Sequence, residues 1–473
     1  MRHLKKSAAS LLLGLITSFA AYHSYKPLPE GLAHSGMKFP SEEVEFLGDN
    51  SWITETGARE LDQEIFDAIF ELIDGARELI VIDMFLFNDF QGPEPETHRL
   101  LSFELTSALI TQKSAYPDIE IVVITDPLNT VYGGFESEYF QRLRQAGIKV
   151  VKTDLTRLRD SNPAYSWFWR LFIQHFGNSP GGFFPNPLGE GKVTARSYFE
   201  MANFKANHRK TVIADTQDGY AGIVTSANPH DGSSAHRNIA IRFSGNAVID
   251  LLKTENAALS MSGQAPISLP PSMPSQKTNL SVQILTERAI KASVLEHLNA
   301  TGAGDQIDLM MFYLSDKDII DALVAANNRG ANVRILLDPN KDAFGHEKNG
   351  VPNRPVASIL HNHGLSIRWA NVDGEQSHSK ILLITRKQGD AVIIAGSANY
   401  TRRNLKNLNM ETNIAVTGSP QTDFIREAKA YFDTSWTNKE GRAYSLPYSA
   451  YADDSLLLRL KSSFMELSGI STF

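Results

Sequence analysis

His208-Arg209-Lys210-Thr211-Val212-Ile213-Ala214-Asp215 and His378-Ser379-Lys380-Ile381-Leu382-Leu383-Ile384-Thr385 are two renderings of one pattern. In each, a His and a Lys two residues apart open an apolar run of the kind a buried strand shows. Each run is followed by a small-residue turn that ends in Asn: Ser226-Ala227-Asn228 in the first copy, Gly396-Ser397-Ala398-Asn399 in the second. The histidines lie 170 residues apart and the asparagines 171. Matched order at matched spacing implies an internal duplication whose shared feature is a polar site.

Working outward, the parallel covers most of both halves. A second apolar run leads into each Asn turn, Gly219 to Val224 and Ala391 to Ala395, and after it Asn238-Ile239-Ala240-Ile241 answers Asn413-Ile414-Ala415-Val416. Upstream, Ile80 to Phe85 answers Ile307 to Phe312, and Ile121 to Pro127 answers Val333 to Pro339. Between these strands the spacing turns helical. Leu61, Ile65, Ala68, Ile69, Leu72 and Ile73 make a stripe over Leu61 to Ala76, with Ile290 to Leu298 as its counterpart and Asp318 to Asn328 as a further helix. Strand alternating with helix predicts an α/β sandwich in each half, two similar lobes in all. The lobes are read as residues 45–261 and 281–440, joined by a Pro- and Ser-rich linker over 262–280 and followed by a tail over 441–473.

A chain of 473 residues, 42% hydrophobic and 21% charged, is long enough for two substantial cores. Its net charge of −7 disfavours a broad nucleic-acid footprint, which usually needs a basic face. With no cysteine, disulfides, thiolate chemistry and Cys-based metal sites are excluded. At the N-terminus, Arg2, Lys5 and Lys6 precede an apolar stretch from Ala8 to Ala21, and Ser18-Phe19-Ala20 is a tolerable cleavage site. Residues 1–22 therefore read as a signal peptide or a short signal-anchor, and the shortness of the run favours cleavage. Either way the positive-inside tendency puts the rest of the chain outside the cytoplasm, secreted, periplasmic or membrane-anchored.

The chemistry of the repeated set follows from its residue types. A neutral imidazole is a competent nucleophile or general acid/base near neutral pH. On a strand, residues two apart share a face, so each Lys ammonium projects beside its His. The Asn adds an amide donor, and the three groups suit an anion with two free oxygens, such as a phosphodiester. Two sets match a two-step displacement: one His attacks phosphorus, while the other protonates the leaving oxygen and then activates the acceptor. This chemistry calls for no metal and no cofactor.

The doubled H-x-K-x4-D pattern with its Asn turns resembles the signature of the phospholipase D superfamily, over roughly Glu45 to Lys439. Within it the chain is similar to bacterial phosphatidylserine, phosphatidylglycerophosphate and cardiolipin synthases and related phospholipases. The resemblance implies two α/β lobes about a pseudo-twofold axis with one site at their interface. The catalytic set it implies is His208, Lys210, Asn228, His378, Lys380 and Asn399, with Asp215, Glu411 and Ser397 in support. The implied partners are a phospholipid at a membrane surface and a water or alcohol acceptor. Hydrolysis, cardiolipin synthase-type transfer and cleavage of nucleic acid all use such a site; the acidic balance and secretory N-terminus stand against the last.

Two positions depart from the family pattern. Thr385 stands where the usual Asp would, opposite Asp215. The acid that follows the Asn turn and orients the imidazole of its own motif is expected to be Glu411 for His378. The first half has His236 at that position, with Asp231 nearby as a substitute. A carboxylate on one ring nitrogen makes the other the better nucleophile, which points to His378, whereas several family members use the N-terminal His.

Three further segments are read more loosely. An insertion over 161–204, present only in the first half, is rich in aromatics such as Trp167, Phe168, Trp169 and Phe172. It reads either as an interfacial lid or as a helix from Trp167 to Phe176 packed on the lobe. The loop Ala343 to Glu347, with Pro352 to Pro355, follows the Asp338 strand end, where a substrate loop would sit. In the tail, Leu456, Leu460, Phe464 and Leu467 are spaced as an amphipathic helix expected to dock on the protein.

Overall fold

Six consecutive residues of the first His–Lys strand and five of the second are buried, which only a strand covered on both faces achieves. In the computed structural model, which describes residues 2–41, 43–92, 94–272, 278–343 and 346–471, each is an inner strand of a large mixed sheet. The first sheet runs, in spatial order, Arg59–Asp62, Val44–Ile53, Asn238–Ser244, Gly219–Thr225, Lys210–Thr216, Leu79–Met84, Glu120–Thr125 and Lys149–Lys152. The second repeats that order from Leu280–Thr286 through Thr412–Gly418, Ala391–Gly396, Lys380–Thr385, Gln306–Met311 and Asn332–Leu337 to Ser366–Ala370.

The pairing repeats residue for residue. Met84 lies opposite Lys210 in the antiparallel ladder of the first lobe, and Met311 opposite Lys380 in the second. Side-chain alternation then decides the layers. Ile213 and Ile241 of the first sheet share one core with Ile381, Leu383 and Ile393 of the second, so the sheets pack face to face. Val212 and Ala214 point the other way, into a core capped by helices Ile65–Gly75 and Leu101–Ala115. Leu382 and Ile384 do the same in the second lobe, under Arg288–Asn299 and Lys317–Asn328. The arrangement is the expected pair of α/β lobes.

Details differ from the sequence reading. The helical stripe begins at Ile65, not Leu61: Leu61 pairs with Ser51 in an edge strand, and the Asp49 carboxylate accepts the N–H groups of Glu64 and Ile65, starting the helix there. The second sheet draws strands from outside its lobe, Phe39–Pro40 pairing with Leu280–Thr286 and Ser445–Pro447 with Ser366–Ala370. Within the 262–280 linker, residues 273–277 lie outside the described residues, as do Phe344 and Gly345 of the candidate substrate loop.

The insertion helix runs Pro163–Phe172, with Pro at its first turn, and buries Trp169 while Phe168 and Phe172 stay exposed. The N-terminal helix spans Arg2–Tyr25, through the small-residue site at 18–20, and ties to the first lobe where Asp160 N–H donates to the His23 carbonyl at 2.9 Å. Among the described residues no helix is long and apolar enough to cross a membrane. The tail forms the helix Leu456–Ser468 but docks by another side than expected. Leu458, Ser462 and Met465 face the protein, and Leu456, Leu460, Phe464 and Leu467 stand out, at 67%, 58%, 64% and 81% exposed.

Candidate active site

Each His–Lys strand enters its sheet through a turn held by an Asp from the neighbouring strand end. Asp126 accepts the N–H of Asn207 and Asp338 that of Ser377, both at 2.7 Å. The chain then crosses to the other lobe. His208 N–H donates to the Met410 carbonyl at 2.9 Å, and His378 N–H to the Arg237 carbonyl at 2.8 Å. These reciprocal bridges bring the two His–Lys pairs together between the lobes, near enough that the charge of Lys380 acts on His208 and that of Lys210 on His378.

The bridges also decide which group meets which imidazole. Because Met410 pairs with His208, the next residue, Glu411, sets its carboxylate 2.9 Å from His208 Nδ1. This corrects the assignment of Glu411 to His378: the orienting group comes from the opposite lobe. His378 Nδ1 instead meets the side-chain oxygen of Asn238, which follows Arg237, at 3.1 Å. Neither His236 nor Asp231 takes the acid's place. The Asp231 carboxylate binds the Ser102 N–H and hydroxyl at 2.9 and 2.8 Å.

Asn238 is the true counterpart of Glu411. Ser226 Oγ donates to Asn238 and accepts the Ile239 N–H, just as Ser397 Oγ donates to Glu411 and accepts the Thr412 N–H. The segment after the Asn turn is two residues longer in the second half, ten from Asn228 to Asn238 against twelve from Asn399 to Glu411. Pairing Asn238 with Asn413 by sequence therefore slips the register.

Two phenylalanines that the repeat had aligned, with no role given them, wall the pocket. Phe85 lies 4.7 Å from the His208 ring at 60°, and Phe312 lies 4.9 Å from the His378 ring at 63°. The two ammonium groups are likewise 5.0 Å from these rings, Lys210 over Phe85 and Lys380 over Phe312, a cation–π arrangement. Asn129 and Asn353 pin the loops that carry these rings, binding the carbonyls of Phe85 and Phe312 at 2.7 Å. Lys210 Nζ and Lys380 Nζ also donate to the carbonyls of their own histidines, at 2.8 and 2.6 Å. Asn228 Oδ1 accepts the Leu86 N–H at 3.2 Å, which leaves its amide nitrogen for an anion.

Burial governs the electrostatics of the pocket, and the Glu411 carboxylate only partly offsets it. Burial pushes His208 down to about 4, against the pull of Glu411. Burial, followed by the charge of Lys380, puts His378 well below its usual range. Burial takes Lys210 down to about 7, and Lys380 falls well below its ordinary value through burial and then repulsion from Lys210. An entering phosphodiester supplies the counter-charge that both ammonium groups are short of.

Arg209, between His208 and Lys210, points to the opposite face of its strand. It is fully buried, its guanidinium 2.9 Å from Glu287, and the same Glu287 oxygen accepts the Glu411 N–H at 3.2 Å. The supporting Asp215 lies away from the pocket, where its carboxylate accepts the N–H groups of Arg77, Glu78 and Leu79 at 2.8 to 2.9 Å. In the second lobe Thr385 makes no such contact. Asp305 does comparable work from a loop, accepting the N–H groups of Lys387 at 2.8 Å and Gly302 at 2.9 Å.

Comparison with known proteins bears on this geometry. Residues 294–436 match the family described as cardiolipin synthase, PLD-like domain. No curated protein matches the sequence. The fold is similar to that of phosphatidylserine synthase from Haemophilus influenzae, with a TM-score of 0.53 and 10% identity over 96% of this chain and 98% of that one. A phospholipase D family member, Nuc from Salmonella typhimurium, aligns at 20% identity over 36% of this chain and 98% of its own, with a TM-score of 0.28. The PLD-like match thus falls within the second lobe, and the first lobe repeats the same strand order and the same His–Lys–Asn set.

Proposed function

We propose that the protein cleaves or transfers phosphatidyl groups of phospholipids through a phosphohistidine on His208. The observation that carries this reading is the pair of imidazoles whose Nδ1 atoms are tied, to Glu411 and to Asn238, so that both Nε2 atoms are left for chemistry. His208 Nε2 attacks phosphorus, and the bond from phosphorus to the head-group oxygen breaks as His378 gives its proton to that oxygen. The phosphorylated imidazole ring becomes cationic while it keeps its Nδ1 proton. A carboxylate stabilises that charge where an amide oxygen cannot, which favours His208 over His378 as nucleophile.

In the second step His378 takes a proton from water or an alcohol, whose oxygen attacks phosphorus and breaks the P–N bond. Phosphatidic acid or a new phospholipid leaves. Lys210, Lys380, Asn228 and Asn399 hold the non-bridging oxygens in both steps. The match to a cardiolipin synthase-type family supports lipid chemistry for the site. The same reading keeps the lobes outside the cytoplasm, on the strength of Arg2, Lys5 and Lys6 ahead of the apolar stretch.

The test is incubation of the purified chain with phosphatidylglycerol, phosphatidylcholine or single-stranded DNA, with and without glycerol, followed by acid-free quenching and peptide mass spectrometry. Lipid turnover with label on His208 is expected, and glycerol separates transfer from hydrolysis by its product. DNA cut while lipid is untouched refutes the lipid reading; label on His378 reverses the two roles.

A further inference from the structure

Among the described residues, 19 of the 24 large apolar side chains that stand exposed lie in three segments: the N-terminal helix, the aromatic insertion and the C-terminal helix with Ile470. Scattered exposure is ordinary, but concentration of this kind marks an interaction surface. The segments adjoin one another. The end of the N-terminal helix meets the insertion at Asp160, and Arg403 binds Ser161, at the insertion's start, together with the carbonyl of Ser471 beyond the C-terminal helix.

They also adjoin the site. The inner side of the C-terminal helix packs through Leu458 and Met465 on Phe312, Tyr313 and Val351, and Phe312 is the ring against His378. Arg403 lies 5.1 Å from the Phe204 ring, four residues before His208. Through these contacts the apolar segments reach the ring that lies against His378 and the stretch that leads into His208. Charge points the same way. Lys5 and Lys6 of the N-terminal helix and Lys461 of the C-terminal helix stand exposed, in a chain of net charge −7.

We propose that the outer face of the C-terminal helix, continued by the aromatic insertion, docks on an anionic phospholipid bilayer and seats the site against the lipid head groups. This rests on the phospholipid reading above but is separable from it. Leucine and phenylalanine enter the acyl boundary, aromatic rings sit at head-group level, and the basic side chains meet the lipid charge. A second copy of the chain is the competing occupant, and the lysines exposed on equivalent faces would repel it.

Co-sedimentation of the full chain with phosphatidylglycerol/phosphatidylcholine vesicles tests the proposal. The wild type is expected in the pellet, less so with pure phosphatidylcholine or at high salt. Leu457→Ser with Leu460→Ser and Phe464→Ser should lower the partition about tenfold or more, while Met37→Ser with Leu269→Ser, two scattered exposed positions, should not. Equal pelleting of the triple variant and the wild type overturns the proposal, and so does a wild type that stays in the supernatant. Loss of self-association in the triple variant, with lipid binding kept, assigns the face to a second copy instead. Should the triple variant fail to fold, quenching of the Trp167 emission by brominated lipid decides: quenching supports docking and its absence rejects it. Vesicle binding without turnover of any phospholipid, monomeric short-chain lipid included, leaves docking standing and fells the substrate reading.

Discussion

The two lobes bring the same His–Lys pair to one pocket and hold the imidazoles with different partners. His208 leans on a carboxylate and His378 on an amide oxygen, although Ser226 and Ser397 hold the two acceptors in the same way. A duplicated site would start with interchangeable halves. Under the proposed mechanism the carboxylate half accommodates a cationic phosphorylated ring and the amide half remains a proton carrier, so that positions 411 and 238 would carry the asymmetry of the two steps.

The largest effects break the comparison outright. His208→Asn and His378→Asn are each expected to lower turnover of phospholipid by about 10³-fold or more. With an activated ester such as a p-nitrophenyl phosphodiester, whose leaving oxygen needs no proton, the variants should part company. His378→Asn should still release a burst of nitrophenolate and His208→Asn none. A burst from His208→Asn would exchange the roles.

Equalising the acceptors comes next. Glu411→Gln gives both imidazoles an amide partner and should cost about 10- to 100-fold in kcat. Asn238→Asp does the converse, and the added carboxylate should move the acidic limb of the pH–rate profile upward, because it favours protonated His378. An unmoved limb would mean that residue 238 does not govern that imidazole.

A third test reads the lysines. With Lys210 down at about 7, the empty pocket loses an ammonium charge as pH rises past that value. Inhibition by tungstate, whose own charge is constant above neutrality, should then weaken about tenfold per pH unit above 7 if one proton is required. Lys210→Arg, which does not titrate there, should flatten the slope.

The smallest effects concern stability. Asp215→Ala removes the acceptor of three backbone N–H groups and should cost about 2 kcal/mol or more in denaturant unfolding. Thr385→Val should stay within about 1 kcal/mol, since the buried hydroxyl it removes has no hydrogen-bond partner.

The repeat, the strands and the His–Lys–Asn sets are legible in the sequence because they rest on local order: apolar runs, period-two alternation and matched spacing. Asp215 is legible as a support for the same reason. The partner of each imidazole is not, because it depends on a backbone bridge between segments about 200 residues apart, Met410 to His208. Asn238 is hidden behind a two-residue difference in loop length, which moves the counterpart of Glu411 away from His236. The tail shows a third kind of gap. Its helical spacing is visible, but which side docks is decided by the ledge of Phe312, Tyr313 and Val351 beneath it.

Glu287 receives Arg209 from the first lobe and the Glu411 backbone from the second with one oxygen atom. Through that atom, the residue between the first His and Lys fixes the carboxylate that serves the same His, by way of the other lobe. The descendants of the duplication are thus obligate halves. Severed at the linker, neither fragment would keep a correctly held imidazole, and activity would return only when the two recombined.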